Sequence, residues 1–401
     1  MKRTFLLLNA LTIIIGLYPG LSIGQMKGTQ TVGGPFENRE FIYSGIPKVP
    51  SAVDTSPGWI FPGQKLLITG TVYQNDGVTP APGVIVYYYQ TNTEGRYLHR
   101  PEEKRSMAPN AQGQTHGFIR GWVKSGSDGR YSIYTIRPGT YPSRDFPAHI
   151  HLTVKEPNAI NEYYIDDIVF DDDRLLTTAE RLKAEGRAGS GIVRLVQKER
   201  LHIGERNIIL GMNIPNYPVP EKSGPRSGKN IGENIFSFTP YHAWGPDKGT
   251  RTCPVCKYGW HEGILYFVGN NPDWNSVRKW LSFLERESGA RQKYLKVYFI
   301  YGNAEGYSRE TRQRELERLG KDLNIRYTAL TYVPSFSDEE STVHLNRIDP
   351  SVGNTFMIFR RSMVVGNYVN FAPTADNFRE INQRFERTRT EYFDLPGARK
   401  E

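Results

Sequence analysis

The chain has 401 residues, more than one compact core usually holds, so two domains are expected. Hydrophobic residues make up 38% and charged residues 23%, which excludes a disordered chain. The formal charge of +9 is scattered without a long Lys/Arg block, which argues against a nucleic-acid partner and for a solvated basic surface.

In chain order, Lys2 and Arg3 precede a mostly apolar run from Phe5 to Leu17 and the small residues of Gly20–Gly24, the pattern of an export signal over residues 1–24. Its removal lowers the charge from +9 to +7 through loss of Lys2 and Arg3. No later segment approaches the roughly 20 apolar residues of a spanning helix, so the expected product is periplasmic or extracellular with no membrane span. Residues 25–64 read as irregular. From Lys65 onward, strands are expected at Leu66–Tyr73, Gly83–Gln90, Gly117–Lys124, Arg130–Ile136, Ala148–Val154 and Asp166–Phe170, with turns at Asn75-Asp76-Gly77 and Ser127-Asp128-Gly129. A short helix over Leu175–Gly186 and late strands at Gly191–Val196 and Asn207–Met212 follow. Short strands at this spacing predict an all-β sandwich over residues 65–220.

A polar Gly/Ser/Pro stretch, 221–232, reads as a linker. Beyond it the periodicity changes. Strands at Gly263–Val268, Leu295–Tyr301, Ile325–Tyr332 and Thr355–Val365 alternate with helices at Trp274–Ser288, Ser308–Leu323 and Ala375–Arg387. Val277, Trp280, Leu281 and Leu284 recur at helical spacing. An α/β layer domain over 233–401 is expected.

The chemistry concentrates in Tyr97–His151. In Pro147-Ala148-His149-Ile150-His151 the two histidines lie two apart, so on a strand they share a face and form a metal-binding pair. An isolated pair of this kind is usually an ordinary surface feature, but Tyr141 lies eight residues earlier in a turn and Tyr97 just after the second strand. A phenol ionises near pH ~10, so only a strongly acidic cation makes it a ligand at neutral pH. Zinc would draw on Cys, His and carboxylate, whereas two phenols and two imidazoles favour Fe(III). His99 and His116 flank this segment and could line its mouth.

From about Leu66 to Pro220 the chain resembles the catalytic domain of the intradiol ring-cleaving dioxygenases, the catechol and protocatechuate enzymes. The stretches that carry the resemblance are Gly95-Arg96-Tyr97, Arg120-Gly121, Ser127-Asp128-Gly129-Arg130-Tyr131, Thr135–Pro142, Pro147–His151, Phe170–Asp173 and Gly189–Val193. Carried over by position, the resemblance implies Fe(3+) held by Tyr97, Tyr141, His149 and His151. It implies that Tyr141 takes a proton from an incoming catechol and leaves the iron, while Tyr97, His149 and His151 remain ligands. It also implies cleavage between the two hydroxyl-bearing carbons with O2, giving a cis,cis-muconate-type product with no external reductant. Two departures stand out: an Arg precedes Pro-Ala-His-x-His in better-known members, where this chain has Phe146, and their helical dimerisation region is absent. Arg144 is the candidate substitute for that Arg.

Cys253-Pro254-Val255-Cys256 is the sole cysteine pair. Beside an α/β pattern it suggests a thioredoxin-like redox pair, and residues from about Phe236 to Phe385 resemble redoxin-like domains. In that family the pair follows the first core strand; here it precedes Gly263–Val268. The region before the third strand, Gly353-Asn354-Thr355, lacks the expected Pro. Three readings stay open: a structural disulfide in an oxidising compartment, a displaced redox pair, or half of a metal site with His242 or His261. The competing functional class is an exported iron- or catecholate-binding protein with a thioredoxin-like interaction or redox module and no ring cleavage.

Overall fold

Apolar residues on both sides of the strand from Leu66 to Val72 give it two buried faces. Leu66, Ile68 and Val72 face one core, and Leu67 turns to another. The computed structural model describes residues 31–36, 39–218, 225–392 and 394–397; the expected export signal, 1–24, lies outside them. The elements run α1 (Arg39–Tyr43), β1 (Val53–Thr55), β2 (Lys65–Tyr73), β3 (Ile85–Gln90), β4 (Arg120–Lys124), β5 (Arg130–Ile136), β6 (His149–Lys155), β7 (Tyr163–Phe170), α2 (Thr178–Lys183), β8 (Ile192–Val193), β9 (Val196–Lys198), β10 (Leu201–Glu205) and β11 (Ile208–Ile209). They make two sheets, β1-β5-β2-β10-β9 with β11 also on β2, and β4-β3-β6-β7-β8. One core joins the sheets, with Leu66 and Ile68 from one against Val86, Ile150, Leu152 and Ile168 from the other. A buried polar rivet also crosses between them: Gln90 Nε2 donates to the Ile136 carbonyl (2.7 Å), and Thr135 Oγ1 donates to Gln90 Oε1 (3.1 Å). The segment expected as irregular is held on the second sheet by Arg120, which is 1% exposed and donates to the Phe41 and Arg105 carbonyls, and by Trp122, whose indole donates to the Ile42 carbonyl.

The second half adds β12 (Tyr241–Trp244), α3 (Pro254–Tyr258), β13 (Glu262–Val268), α4 (Trp274–Arg291), β14 (Leu295–Tyr301), α5 (Arg309–Asp322), β15 (Thr328–Tyr332), β16 (Thr355–Arg360), β17 (Met363–Val369) and α6 (Ala375–Arg387). They form one sheet, β12-β15-β14-β13-β16-β17, in which β13, β14 and β15 are parallel and the rest antiparallel. Every residue of β13 is buried because helices cover one face and loop residues the other. Asp273, Ser308 and Thr374 cap α4, α5 and α6 by accepting N–H bonds of the first turn. The sequence predicts one strand over Thr355–Val365. The structure folds it into the β16–β17 hairpin, because Arg361 (φ 49°) and Ser362 (φ 68°) are both left-handed, the conformation a two-residue hairpin turn demands. Neither is Gly or Asn, so the sequence carried no turn signal there.

This hairpin docks on the first half. Glu205, at the end of β10, pairs with Arg360 (2.9 Å) and Arg361, and all three side chains are under a tenth exposed. Of the stretch expected as a linker, residues 225–232 are pinned: Gly232 N–H donates to the Val364 carbonyl (2.8 Å), and the Gly232 carbonyl accepts from Ser190 N–H (2.7 Å). The tail returns as well, with Leu395 and Tyr392 packed beside Leu67 and Gln197 N–H donating to the Pro396 carbonyl. Burial alone would raise the pKa of Glu205, but Arg360 and Arg361 outweigh it and hold the carboxyl below its usual value. Its contribution is therefore present above the unfolded-state glutamate pKa and lost as pH falls through the lowered folded value. Glu205→Gln is expected to cost about 3–5 kcal/mol at neutral pH, because two guanidiniums lose their buried partner. Urea unfolding at a series of pH values checks this: the gap between wild type and variant should close toward low pH.

Candidate metal centre

Strand β6 presents His149 and His151 on one face, as the period of two requires. The two tyrosines come from loops that are tied together. Gly139 N–H donates to the Asn92 carbonyl (2.9 Å), and Thr91 Oγ1 donates to the Gly139 carbonyl (2.9 Å). The Asn92 side chain accepts from Arg96 N–H (2.9 Å), shaping the turn that delivers Tyr97. Gly95 has φ +76°, and a Cβ there would sit 1.7 Å from the Thr140 carbonyl oxygen, so only glycine allows the loops to close. The phenol oxygens of Tyr97 and Tyr141 meet at 3.0 Å.

Four donor atoms converge. Tyr141 Oη lies 3.0 Å from His149 Nε2 and 3.3 Å from His151 Nε2, and the two Nε2 atoms are 3.1 Å apart. The far nitrogens settle the tautomers. His149 Nδ1 faces the Pro147 carbonyl (2.7 Å) and His151 Nδ1 faces Asp167 (3.0 Å), and neither partner can donate. Each Nδ1 therefore carries the proton, and two Nε2 lone pairs confront each other with no proton between them, an arrangement that a shared cation relieves. Burial, then the neighbouring His151, pushes the His149 pKa down, which keeps it a neutral ligand. Burial raises both phenols; Tyr97 goes well above the usual range, with Tyr141 adding to the effect. Neither ionises at neutral pH without a strongly charged metal beside it.

Among the described residues one group of three metal-binding side chains occurs, His149, His151 and Asp167. Asp167 engages the Nδ1 side of His151, away from the convergent Nε2 atoms, so it orients the ring and does not complete the cage. A β-bulge puts it there. Ile150 pairs with Ile168 and Leu152 with Ile165, leaving His151 opposite both Asp166 and Asp167. Asp166 accepts instead from the Gly186 and Arg187 N–H groups. Sequence reasoning missed Asp167, for which the adjacent Asp pair on a strand was the available signal. It also missed Tyr89, whose ring stacks on His151 (4.4 Å) and on His116 (3.6 Å). His116 bonds the Tyr87 hydroxyl through Nδ1 and thus stands behind the cage instead of lining its mouth.

Arg144 lies in an exposed turn, φ 54°, its N–H donating to the Tyr141 carbonyl (2.8 Å). Among the described residues no hydrogen bond, ion pair or ring contact joins an arginine to the four donors. Phe146, 40% exposed, sets its ring edge-on to His149 at 5.1 Å. Exposed His99 bonds Ser106. Cys253 and Cys256 are joined as a disulfide, and both His242 nitrogens face backbone carbonyls, so these residues form no metal half-site.

Similarity to known proteins falls in this sheet-rich half. Residues 52–206 match the family model described as Dioxygenase. Particular relatives include the protocatechuate 3,4-dioxygenase beta chain of Burkholderia cepacia, 31% identical over 23% of this chain and 39% of that protein. Catechol 1,2-dioxygenase 1 of Acinetobacter lwoffii is 27% identical over 38% of this chain and 51% of that protein. The chain thus spans about half or less of these relatives' lengths. A solved dioxygenase domain from a carbohydrate-binding fusion protein of Streptomyces sp. SirexAA-E aligns at 23% identity over 40% of this chain and 87% of that one, TM-score 0.30.

Asp167→Asn replaces a pure acceptor with a group able to donate, and it frees the His151 tautomer. The expected result is about a 10–100-fold loss of metal affinity with the fold retained. Competition against a chelator, with circular dichroism as control, measures it; unchanged affinity would remove Asp167 from the site.

Proposed function

We propose that Tyr97, Tyr141, His149 and His151 hold a ferric ion and that the protein cleaves a catechol-type ring between its two hydroxyl-bearing carbons, using O2 and yielding a cis,cis-muconate-type product. The observation that carries this reading is the convergence of two phenol oxygens and two unprotonated Nε2 atoms within 3.3 Å of Tyr141 Oη or of each other. Two phenols suit a hard trivalent cation better than zinc. Bound there, ferric iron would supply the Lewis acidity that ionises the phenols and a catechol. Tyr141 Oη, within hydrogen-bond reach of the other three donors, would receive the substrate proton. Tyr97, held by the Gly95 turn, would stay in place. The exposed ring of Phe146 would give an aromatic substrate an apolar wall beside His149. Both oxygen atoms enter the product, so no reductant is consumed.

Arg144 would supply the positive charge that Phe146 does not, its exposed turn allowing the guanidinium to reach inward. The order β13-α4-β14-α5-β15-β16-β17-α6 and the mixed sheet support a thioredoxin-like reading of residues 233–401. Because the cysteines precede β13 and do not open α4, we read their disulfide as structural. A disulfide and the apolar start of the chain support export. Among the described residues no helix is long and apolar enough to cross a membrane.

The ferric protein is expected to be burgundy from phenolate-to-iron charge transfer, to lose most of that band in Tyr97→Phe, and to consume O2 with catechol. Colour without O2 uptake, when catechol still shifts the band, establishes the binding reading; a colourless protein after ferric reconstitution defeats both. Separately, Arg144→Ala should keep the colour and lower kcat by about 10-fold or more, as loss of one charge-stabilising group does. Unchanged turnover removes Arg144 from the mechanism.

A further inference from the structure

Between the two halves lies a cavity of about 980 Å³, walled by residues of 178–194 on one side and by 229–237 and 342–347 on the other. Five cationic side chains and three carboxylates face it. Four of the cations have partners. Arg181 and Arg194 share Asp171 at 2.7 Å each, Arg347 pairs with Glu233, and Arg361 pairs with Glu205. The third carboxylate, Glu185, points to Arg187 at 3.9 Å.

Lys229 is the exception. It is 6% exposed, and its ammonium lies over the Phe236 ring at 4.5 Å. Among the described residues it has no hydrogen bond or ion pair from Nζ. Burial, reinforced by Arg347 and opposed by Glu233, pushes its pKa down to about 8. Its backbone cannot easily carry it away: the N–H faces Met357 Sδ and the carbonyl accepts from Asn367 (2.7 Å). A mostly buried ammonium with no ion pair of its own is costly, and an incoming anion reduces that cost. Ile235, Phe236 and Val255 give the wall an apolar stretch among polar residues such as Asn230, Asn234 and Ser237.

We propose that this cavity is a second small-molecule site, separate from the Tyr/His cage, which binds a carboxylate- or phosphate-bearing ligand with an apolar body, Lys229 pairing with the oxyanion. It rests on none of the iron chemistry. A cavity of this volume at a domain boundary, with apolar stretches set among polar groups, has the size and position of a ligand pocket.

The full chain is titrated calorimetrically with inorganic phosphate and, separately, with hexanoate. One probe or both should bind once per chain. Lys229→Gln should weaken binding roughly thirtyfold or more, as removal of one partner of a desolvated charge pair does, and Lys229→Arg should restore part of it. Tighter binding of hexanoate assigns an organic carboxylate, and tighter binding of phosphate assigns a phosphate group. Acetylation footprinting of the wild-type chain by mass spectrometry gives a second measure, needing no variant: Lys229 should be modified readily alone and protected by the bound probe. Binding of neither probe, equal binding by Lys229→Gln, or no protection of Lys229 overturns the proposal.

Discussion

The backbone seam between loops 91–97 and 137–141 places both phenols, and the rest of the metal centre is built around it. Asn92 anchors the seam by accepting from Gly139 N–H through its carbonyl and from Arg96 N–H through its side chain. Gly95 and the Thr140 carbonyl approach so closely that a methyl group would collide. Below the seam, Gln90 and Thr135 bolt the two sheets together, so the loops stand on a common base. The histidines need no such device, since strand geometry alone brings them side by side.

Electrostatics then gives the assembled cage its character. Two imidazole lone pairs and two phenol oxygens, all partly buried, turn toward one centre, and each Nδ1 is committed to an acceptor that locks its tautomer. The stacked rings of His116, Tyr89 and His151 back the site with a stiff wall. Strength is placed differently at the boundary between the halves, where Glu205 neutralises two arginines at a left-handed hairpin turn. That pairing offsets the backbone cost of Arg361 and is one of several contacts that join the halves. The neighbouring cavity contains a mostly buried lysine with no ion pair of its own.

Much of the architecture was legible in the order of residues. Strand after strand was marked by alternating apolar residues and by Asp-Gly turns, and Ala375–Arg387 was bounded correctly because Thr374 caps it and its apolar residues keep helical period. The hairpin at Arg361-Ser362 was not legible, because its turn is held by Glu205 from 155 residues away and not by turn-forming residues. The Asp166-Asp167 pair was visible, but which of the two reaches His151 was not, because a register shift between strands decides it.

The sequence by itself determined the donor types, the two-residue spacing of the histidines, and the alternation of strands and helices in the second half. These follow from local rules, the period of a strand or helix and the affinity of a donor atom for a metal. Only the tertiary structure decided that Tyr97 and Tyr141 meet, that Asp167 orients His151, that the Arg144 N–H bonds the Tyr141 carbonyl, and that Lys229 is buried with no ion pair. Those facts depend on contacts between residues far apart in the chain, whose energy appears only once the sheets and loops are packed.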